Sequence, residues 1–218
     1  MARIALIHAL VHSMAPVNEA FQRLWPEARL VNLLDDSLSR DLAEGRAGLD
    51  ETMHQRFETL ARYAVEGGAQ AILFTCSAFG PCIERVARQH PGIPVLKPNE
   101  AMIEEAAGQA GQTGPLGLIA TFAPTLQSMP AEFPPGTELR TALAVGAMEA
   151  LNDGDAEVHD TIIAIHARRL TWEGCTRVAL AQFSMARARA ACETSTGLPV
   201  FTTVDSAVRK MRALLPGA

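Results

Sequence analysis

Two residues with chemically reactive side chains, Cys76 and Ser184, each follow a short apolar run at corresponding places in the two halves of the sequence. A cysteine between a buried strand and a helix is positioned for acid–base or nucleophilic chemistry. We expect the helix N-terminus to lower the pKa of the Cys76 thiol. Free cysteines are also often small buried apolar residues, so position alone leaves both interpretations open.

Polar side chains follow the first apolar run of each half. His8 follows residues 4–7, and Thr121 follows residues 116–120. Because ligands bind beyond the carboxyl ends of strands in open α/β sheets, both are candidates to face a ligand. Ser77 and the backbone amides beside it are candidates to hold a substrate carboxylate. His12 and Thr125 are weaker candidates.

Short aliphatic runs alternate with stretches of helical period, which predicts an α/β fold with parallel strands. The runs are apolar without interruption, as expected of strands covered on both faces. The predicted strands are residues 4–7, 29–33, 71–74, 95–96, 116–120, 178–181 and 200–202. Residues 52–55, beginning with Thr52, have the form of a capping box at the start of one helix, and Gly67 follows that helix.

Three segments of the first half resemble three segments of the second half in the same order. The pairs are residues 3–9 with 115–121, 66–78 with 173–186, and 92–95 with 197–200. The pattern predicts an internal duplication into lobes 1–110 and 111–218, with a C-terminal helix able to pack on either lobe. The alternative is that any α/β protein repeats helix, glycine and strand.

These motifs, in this order, resemble the aspartate/glutamate/hydantoin racemase superfamily, which also contains maleate isomerases and arylmalonate decarboxylases. The resemblance is carried by residues 4–8, 74–78, 93–95, 120–121 and 198–200. It implies two similar Rossmann-like or flavodoxin-like lobes related by a pseudo-two-fold axis, with an active site in the cleft between them. It implies no cofactor, a carboxylate or hydantoin-like substrate, and a homodimer.

The same resemblance assigns roles to particular residues. Cys76 and Ser184 would be catalytic. The substrate-binding residues would be His8, Thr75, Ser77, Ala78, Thr121 and Met185. His8 would orient a carboxylate or share a proton with Cys76. The amides near Ser77 and Met185, with the Thr121 hydroxyl, would hold the carboxylate or the developing enolate.

Members of this superfamily typically carry a cysteine at both sites, and this chain departs from that pattern at Ser184. A serine hydroxyl is a much poorer base than a thiol, which puts two-base racemisation in doubt. Three reactions remain open: racemisation with an assisted Ser184, decarboxylation with Cys76 protonating the enolate, or another isomerisation or addition with Cys76 as nucleophile. A fourth interpretation is a two-lobed binding protein without catalysis.

Composition excludes several classes of function. The net charge of −5, without a basic cluster, argues against nucleic-acid binding. No apolar run approaches the roughly 20 residues that span a bilayer, and nothing resembles a secretory signal, so a cytoplasmic location is expected. Cys82, Cys175 and Cys192 do not form a zinc pattern and are expected to be free thiols.

Two pairs of adjacent polar residues that could suggest a metal site or a proton relay have ordinary structural explanations. His159 and Asp160 lie near the start of a predicted helix, where acidic residues are favoured, and His54 has the matching position in the first half. Asp35 and Asp36 follow the second predicted strand and lack a third ligand for a metal. No metal site is predicted.

Overall fold

The computed structural model of the chain describes residues 1–44, 48–107 and 114–216. Within these residues the strands are β1 Arg3–His8, β2 Arg29–Leu34, β3 Ala71–Phe74, β4 Val95–Leu96, β5 Leu116–Ala120, β6 Leu139–Leu143, β7 Arg177–Leu180 and β8 Val200–Thr202. The α-helices are α1 Met14–Leu24, α2 Ser37–Ala43, α3 Glu51–Glu66, α4 Gly80–Gln89, α5 Glu100–Ala107, α6 Ala123–Ser128, α7 Ala147–Asn152, α8 Ala156–Trp172, α9 Arg189–Thr196 and α10 Thr203–Leu214. Short 3-10 helices cover Val11–Ser13, Ser77–Phe79, Met129–Glu132 and Phe183–Ala188.

The chain forms two compact units: Met1–Pro98 together with Val204–Ala218, and Asn99–Thr203. Each unit contains one parallel sheet, and the strand orders β2-β1-β3-β4 and β6-β5-β7-β8 correspond strand for strand. An internal duplication predicts such a correspondence between the two strand orders. The predicted division at residue 110 falls outside the described residues, and the units assign α5 and α10 differently from the lobes 1–110 and 111–218.

The first unit is built around β1, whose residues Ile4, Ala5 and Leu6 are fully buried. β1 pairs in parallel with β2 on one side and β3 on the other. α10 belongs to this unit because Arg23 of α1 pairs with Asp205, and the Arg212 guanidinium donates to the Leu24 carbonyl.

The second unit has a core on each face of its sheet. Ile119 of β5 packs with α8 and α9 on one face, whereas Leu118 and Ala120 pack with α5 on the other. Gly117 permits the close approach of α8, because a Cβ there would lie 2.8 Å from Leu170 Cδ1. Burial on both faces explains why β5 has an uninterrupted apolar sequence.

The structure confirms the predicted α/β class, with parallel strands in two similar sheets. It adds β6, which the sequence analysis missed. β6 is an edge strand that leaves Arg140 and Thr141 exposed, so it lacks the apolar run of a buried strand. None of the described helices is long and apolar enough to cross a membrane.

The predicted cap of α3 was wrong at its start and confirmed at its end. Asp50, not Thr52, is the N-cap, and its carboxylate accepts from the Met53 N–H at 2.8 Å. Gly67 ends the helix as predicted. Asp155 caps α8 in the same way by accepting from the Val158 N–H at 3.2 Å, so the two long helices begin alike.

Candidate active site

Cys76 lies two residues beyond the end of β3 and immediately before the 3-10 helix Ser77–Phe79, which leads into α4. The Ala78 backbone N–H and the Ser39 hydroxyl both lower the pKa of its thiol, and burial raises it. The residue lines a narrow crevice within the first unit. The other lining residues are Ile7, His8, Ala9, Leu38, Phe57 and Phe74. The crevice therefore surrounds the thiol mainly with apolar side chains.

Burial raises the pKa of the Cys76 thiol, and the hydrogen bonds from Ala78 and Ser39 only partly oppose this effect. The expectation of a lowered pKa was therefore wrong. The first turn of α4 begins at Gly80, beyond the intervening 3-10 helix, and the helix dipole acts only near that turn. Cys76 retains some accessible surface, but the dense apolar packing dominates, so the neutral thiol is the resting form.

His8 is fully buried at the end of β1, and both of its ring nitrogens have partners. Nδ1 lies 2.9 Å from the Thr75 hydroxyl, and Nε2 lies 2.9 Å from Oδ1 of Asn32. Burial lowers the pKa of His8, with the Asn32 hydrogen bond opposing it, so the imidazole is neutral. Neither nitrogen is left to share a proton with Cys76. A substrate-binding role for His8 stays a prediction.

Two side-chain amides extend the His8 network. Asn18 Nδ2 lies 2.8 Å from the Met14 carbonyl and 3.3 Å from Asn32 Oδ1, and Asn18 Oδ1 lies 3.3 Å from Asn32 Nδ2. Because Asn32 Oδ1 faces His8 Nε2, we assign the ring hydrogen to Nε2. Nδ1 of His8 accepts from the Thr75 hydroxyl in turn, so the residue before Cys76 is held by this network.

Ser77 and Ala78, both predicted to bind substrate, are buried in the 3-10 helix after Cys76. The Ala78 N–H lowers the pKa of the Cys76 thiol and so favours its charged form. The predicted role of these two residues in substrate binding stays a prediction.

Ser184 lies in the 3-10 helix Phe183–Ala188, which follows β7 and leads into α9. It is 1% exposed, and its Oγ has no hydrogen-bond partner among the described residues. Met185 beside it packs its side chain into the core, and its N–H donates to the Gln182 carbonyl at 3.1 Å. Ser184 is thus placed at the matching strand end, but no neighbouring base activates it in the part of the chain that is described.

Thr121 follows β5 and is bonded to a residue that follows the adjacent strand. Its N–H donates to Gln182 Oε1 at 2.6 Å, and its hydroxyl lies 3.0 Å from the same oxygen. Gln182 therefore fixes the predicted substrate-binding hydroxyl of Thr121. The binding role itself stays a prediction.

The pair His159 and Asp160 forms part of a structural network. His159 Nδ1 lies 2.7 Å from Asp160 Oδ1, and Arg187 Nε lies 3.0 Å from the same carboxylate oxygen. Arg187 belongs to the 3-10 helix of Ser184, so Asp160 joins α8 to that segment. No cluster of three or more His, Cys, Asp or Glu side chains suited to a metal occurs among the described residues.

Three polar residues of the site were missed by the sequence analysis: Ser39, Asn32 and Gln182. Ser39 approaches Cys76 from α2, which is distant in sequence, so no local motif indicates it. Asn32 lies in β2 and Gln182 lies two residues beyond β7, so their positions beside adjacent strands become informative only once the strand order is known.

These features define a parallel α/β protein of two similar units, with a thiol beyond the carboxyl end of a central strand. A sequence profile of the Asp/Glu/Hydantoin racemase family matches residues 9–211. The chain therefore belongs to the Asp/Glu/hydantoin racemase family. Comparison with curated protein sequences gives no match.

Solved structures with low sequence identity share the fold. Glutamate racemase from Thermus thermophilus, in complex with β-chloro-D-alanine, is 19% identical, with a TM-score of 0.75 over 100% of this chain and 84% of that one. An aspartate racemase homologue from Pyrococcus horikoshii is 16% identical, with a TM-score of 0.71 over 98% and 99% of the two chains. Allantoin racemase from Klebsiella pneumoniae is 15% identical, with a TM-score of 0.71 over 98% and 87%.

Proposed function

We propose that this chain is a racemase-like isomerase of a small carboxylate or hydantoin-like molecule, and that Cys76 transfers the proton at the carbon beside the carboxylate or carbonyl group. Neither a metal nor an organic cofactor takes part. The observation that carries the proposal is the placement of Cys76 beyond β3, where it lines a crevice, in a chain of the racemase family. A cytoplasmic homodimer, expected from composition and resemblance, completes the proposal.

Racemisation needs a base on one face of the reacting carbon and an acid on the other. When Cys76 acts as base, it first loses its proton to solvent. Its thiolate then takes the α-proton, and the electron pair passes into the adjacent carbonyl to form an enolate. An acid on the opposite face returns a proton to carbon. We assign that face to Ser184, whose buried hydroxyl is a weak acid and a weaker base.

A second candidate is decarboxylation followed by protonation on one face. Two observations favour it: burial raises the pKa of Cys76, so the thiol holds the proton that this reaction requires, and Ser184 has no described neighbour to activate it. In this reaction the bond to the carboxylate breaks, CO₂ leaves, and the electron pair stays on the α-carbon. The Cys76 thiol gives its proton to that carbon, and the thiolate regains a proton from solvent.

Proton NMR in D₂O tests both candidates with a panel of amino acids, hydantoins and 2-substituted malonates. The wild type is compared with Cys76→Ala and with the control Cys175→Ala, which removes a buried thiol of the second unit. Cys76-dependent α-exchange with loss of optical purity supports racemisation. Release of CO₂ with deuterium on one face supports decarboxylation. Equal rates in the wild type and Cys76→Ala, for any substrate turned over, would remove Cys76 from the mechanism.

A further inference from the structure

Among the described residues, the two sheets end in the edge strands β2, β4, β6 and β8, and three of these edges are protected against pairing with another chain. β4 and β8 are only two and three residues long. β6 exposes Arg140, which pairs with Glu138. β2 has six residues, and the five that follow Arg29 are uncharged and include no proline. Of the described strands, β2 is therefore the open edge.

Alternate residues of β2 direct their backbone groups away from β1. The N–H of Arg29 donates to the Ala2 carbonyl at 2.7 Å, so the odd-numbered residues of β2 bond toward β1. Because the backbone groups of a strand alternate in direction, Leu30, Asn32 and Leu34 direct their N–H and C=O groups to the free side. No backbone group of the other described residues pairs with them.

A groove with aromatic residues in its wall adjoins this edge. It lies between α1 and the start of β2 and has a volume of about 420 Å³. Its lining includes the buried rings of Phe21 and Trp25 and the half-buried side chain of Leu30. Leu34, at the other end of the same strand, leaves 43% of its surface exposed to water. The open edge thus carries both a groove that can receive an apolar side chain and an exposed leucine.

Two copies of β2 fit one another in one antiparallel register. When Asn32 lies opposite Asn32 of a second copy, Leu30 lies opposite Leu34, so every outward N–H and C=O of the strand finds a partner. Side chains that oppose each other across two strands lie on the same face of the sheet. Leu34 of each copy therefore enters the groove beside Leu30 of the other. A shift of the pairing by two residues would leave some outward groups unpaired.

The same register is complementary in charge. Arg29 begins the strand, and Asp35 and Asp36 follow its end. With Asn32 on the two-fold axis, Arg29 of each copy lies level with Asp35 of the other, next to Asp36. Asp35 is engaged by Arg56 at 2.7 Å, but 65% of the Asp36 side chain is exposed. Backbone pairing and charge select the same arrangement, and this self-complementarity is the reason to name a second copy of this chain as the partner.

We propose that β2 is the surface through which this chain associates with a second copy of itself. The two β2 strands pair in antiparallel fashion about a two-fold axis at Asn32, and the first-unit sheets of the two copies become one continuous sheet. This inference rests on the homodimer of the proposed function and gives that dimer its surface. Because a two-fold interface presents the same patch from both sides, each favourable contact occurs twice. The exposed leucine of each copy is removed from water in the groove of the other.

Sedimentation velocity against protein concentration separates the 23.3 kDa chain from a dimer of twice that mass. The wild type is compared with Leu34→Lys, which charges the edge, and with Val145→Lys, the same kind of change at an apolar residue of the second unit that is 71% exposed. We expect Leu34→Lys to raise the dimer dissociation constant about 100-fold, because the change occurs twice in each dimer, and Val145→Lys to leave it unaltered. A dimer as tight in Leu34→Lys as in the wild type, or one weakened equally by Val145→Lys, would overturn the proposal.

A charge reversal tests the register in a second way. Arg29→Glu places a like charge beside Asp35 and Asp36 of the other copy, and the added change Asp36→Arg restores an opposite pair. We expect Arg29→Glu to weaken the dimer about tenfold and the double variant to recover most of that loss. Both proteins carry Arg29→Glu, so a general effect of that change on folding would appear in both and would not imitate the recovery. A double variant no tighter than Arg29→Glu would overturn the antiparallel register.

The association assay needs no substrate, so the inference and the proposed reaction fail separately. A wild type that stays monomeric at about 100 µM would remove the homodimer and this inference together, and Cys76-dependent turnover would still be decided by the NMR panel. A wild-type dimer that neither Leu34→Lys nor Arg29→Glu weakens would leave the homodimer standing and overturn the inference alone.

Discussion

The ends of β3 and β7 correspond in two sheets of the same strand order, yet the side chains there have different surroundings. The Ala78 N–H and the Ser39 hydroxyl lower the pKa of Cys76 after β3 against the larger opposing effect of burial, whereas the buried hydroxyl of Ser184 has no partner in the described chain. A thiol beside two such groups can carry negative charge, but a hydroxyl without an adjacent base does not readily give up its proton. The difference indicates that the two strand ends contribute unequally to chemistry.

The helices beside these strand ends account for the difference. In the first unit α2 follows β2 and carries Ser39. Arg56, the sixth residue of α3, donates to Asp35 before α2 and to Asp41 within it. In the second unit the corresponding helix α7 contains no hydroxyl side chain, and the sixth residue of α8 is Thr161. The two units therefore share a strand order but differ in the side chains near the reactive residue.

Replacing the two reactive residues in turn should give the largest effect. We expect Cys76→Ala to lower turnover roughly 10²–10⁴-fold, the usual contribution of a positioned acid or base, and Ser184→Ala to lower it less than about tenfold. Initial rates of the reaction found in the NMR panel measure both. Similar losses in the two variants would contradict the unequal roles of the two strand ends.

Restoring a thiol at the second strand end sharpens the comparison. We expect Ser184→Cys to raise racemisation about tenfold, because a thiol is a far better acid and base than a hydroxyl. The measurement is deuterium incorporation starting from each enantiomer separately. Ser184→Ala is the control. A gain in the control as large as that in Ser184→Cys would show that removal of the unpartnered buried hydroxyl, and not the new thiol, raises the rate.

The His8 network should contribute to stability in a pH-dependent way. We expect His8→Gln to lower the free energy of unfolding by about 1–3 kcal/mol at pH 7.5, because the buried Thr75 hydroxyl and the Asn32 amide lose their hydrogen bonds to the ring. Urea denaturation measures this loss, with His90→Gln as a control outside the network. A loss no larger than that of His90→Gln would show that the network does not stabilise the unit.

The same pair of proteins tests the sign of the pH effect. Because burial lowers the pKa of His8, the unfolded chain binds a proton there at a higher pH than the folded chain does. The contribution of His8 to stability is complete above its ordinary pKa of about 6.5 and is lost as the pH falls from there toward the lowered folded value. We expect the wild type to lose more stability than His8→Gln between pH 7.5 and 5, and parallel curves would contradict this.

The smallest effect concerns a feature that the units share. Asp50 caps α3 and Asp155 caps α8 through the same contact to the third residue after the cap. We expect Asp50→Ala and Asp155→Ala each to lower the free energy of unfolding in urea by about 1 kcal/mol. The control is Asp153→Ala, because Asp153 is an exposed aspartate that is not the N-cap of a helix. Effects indistinguishable from that control would show that the common caps contribute little to either helix.

Local sequence patterns predicted the central strands and missed one edge strand, β6. β3 and β5 are apolar throughout, and β1 and β7 are apolar except at Arg3, His8 and Arg177, because both faces of each sheet are covered. β6 has one neighbour strand and polar exposed residues, and nothing in its sequence separates it from a loop. The cap of α3 was placed two residues late because Thr52 and Asp50 are both good capping residues.

The sequence by itself determined the α/β class, the family, and the placement of Cys76 and Ser184 after corresponding strands, because these depend on local periodicity and on the order of short motifs. Only the tertiary structure decided the state of Cys76. Its burial and the influence of the Ser39 hydroxyl on its pKa both depend on residues far apart in the chain. The pKa of a group depends on all charges and dipoles packed around it, and such packing is a property of the fold, not of any segment.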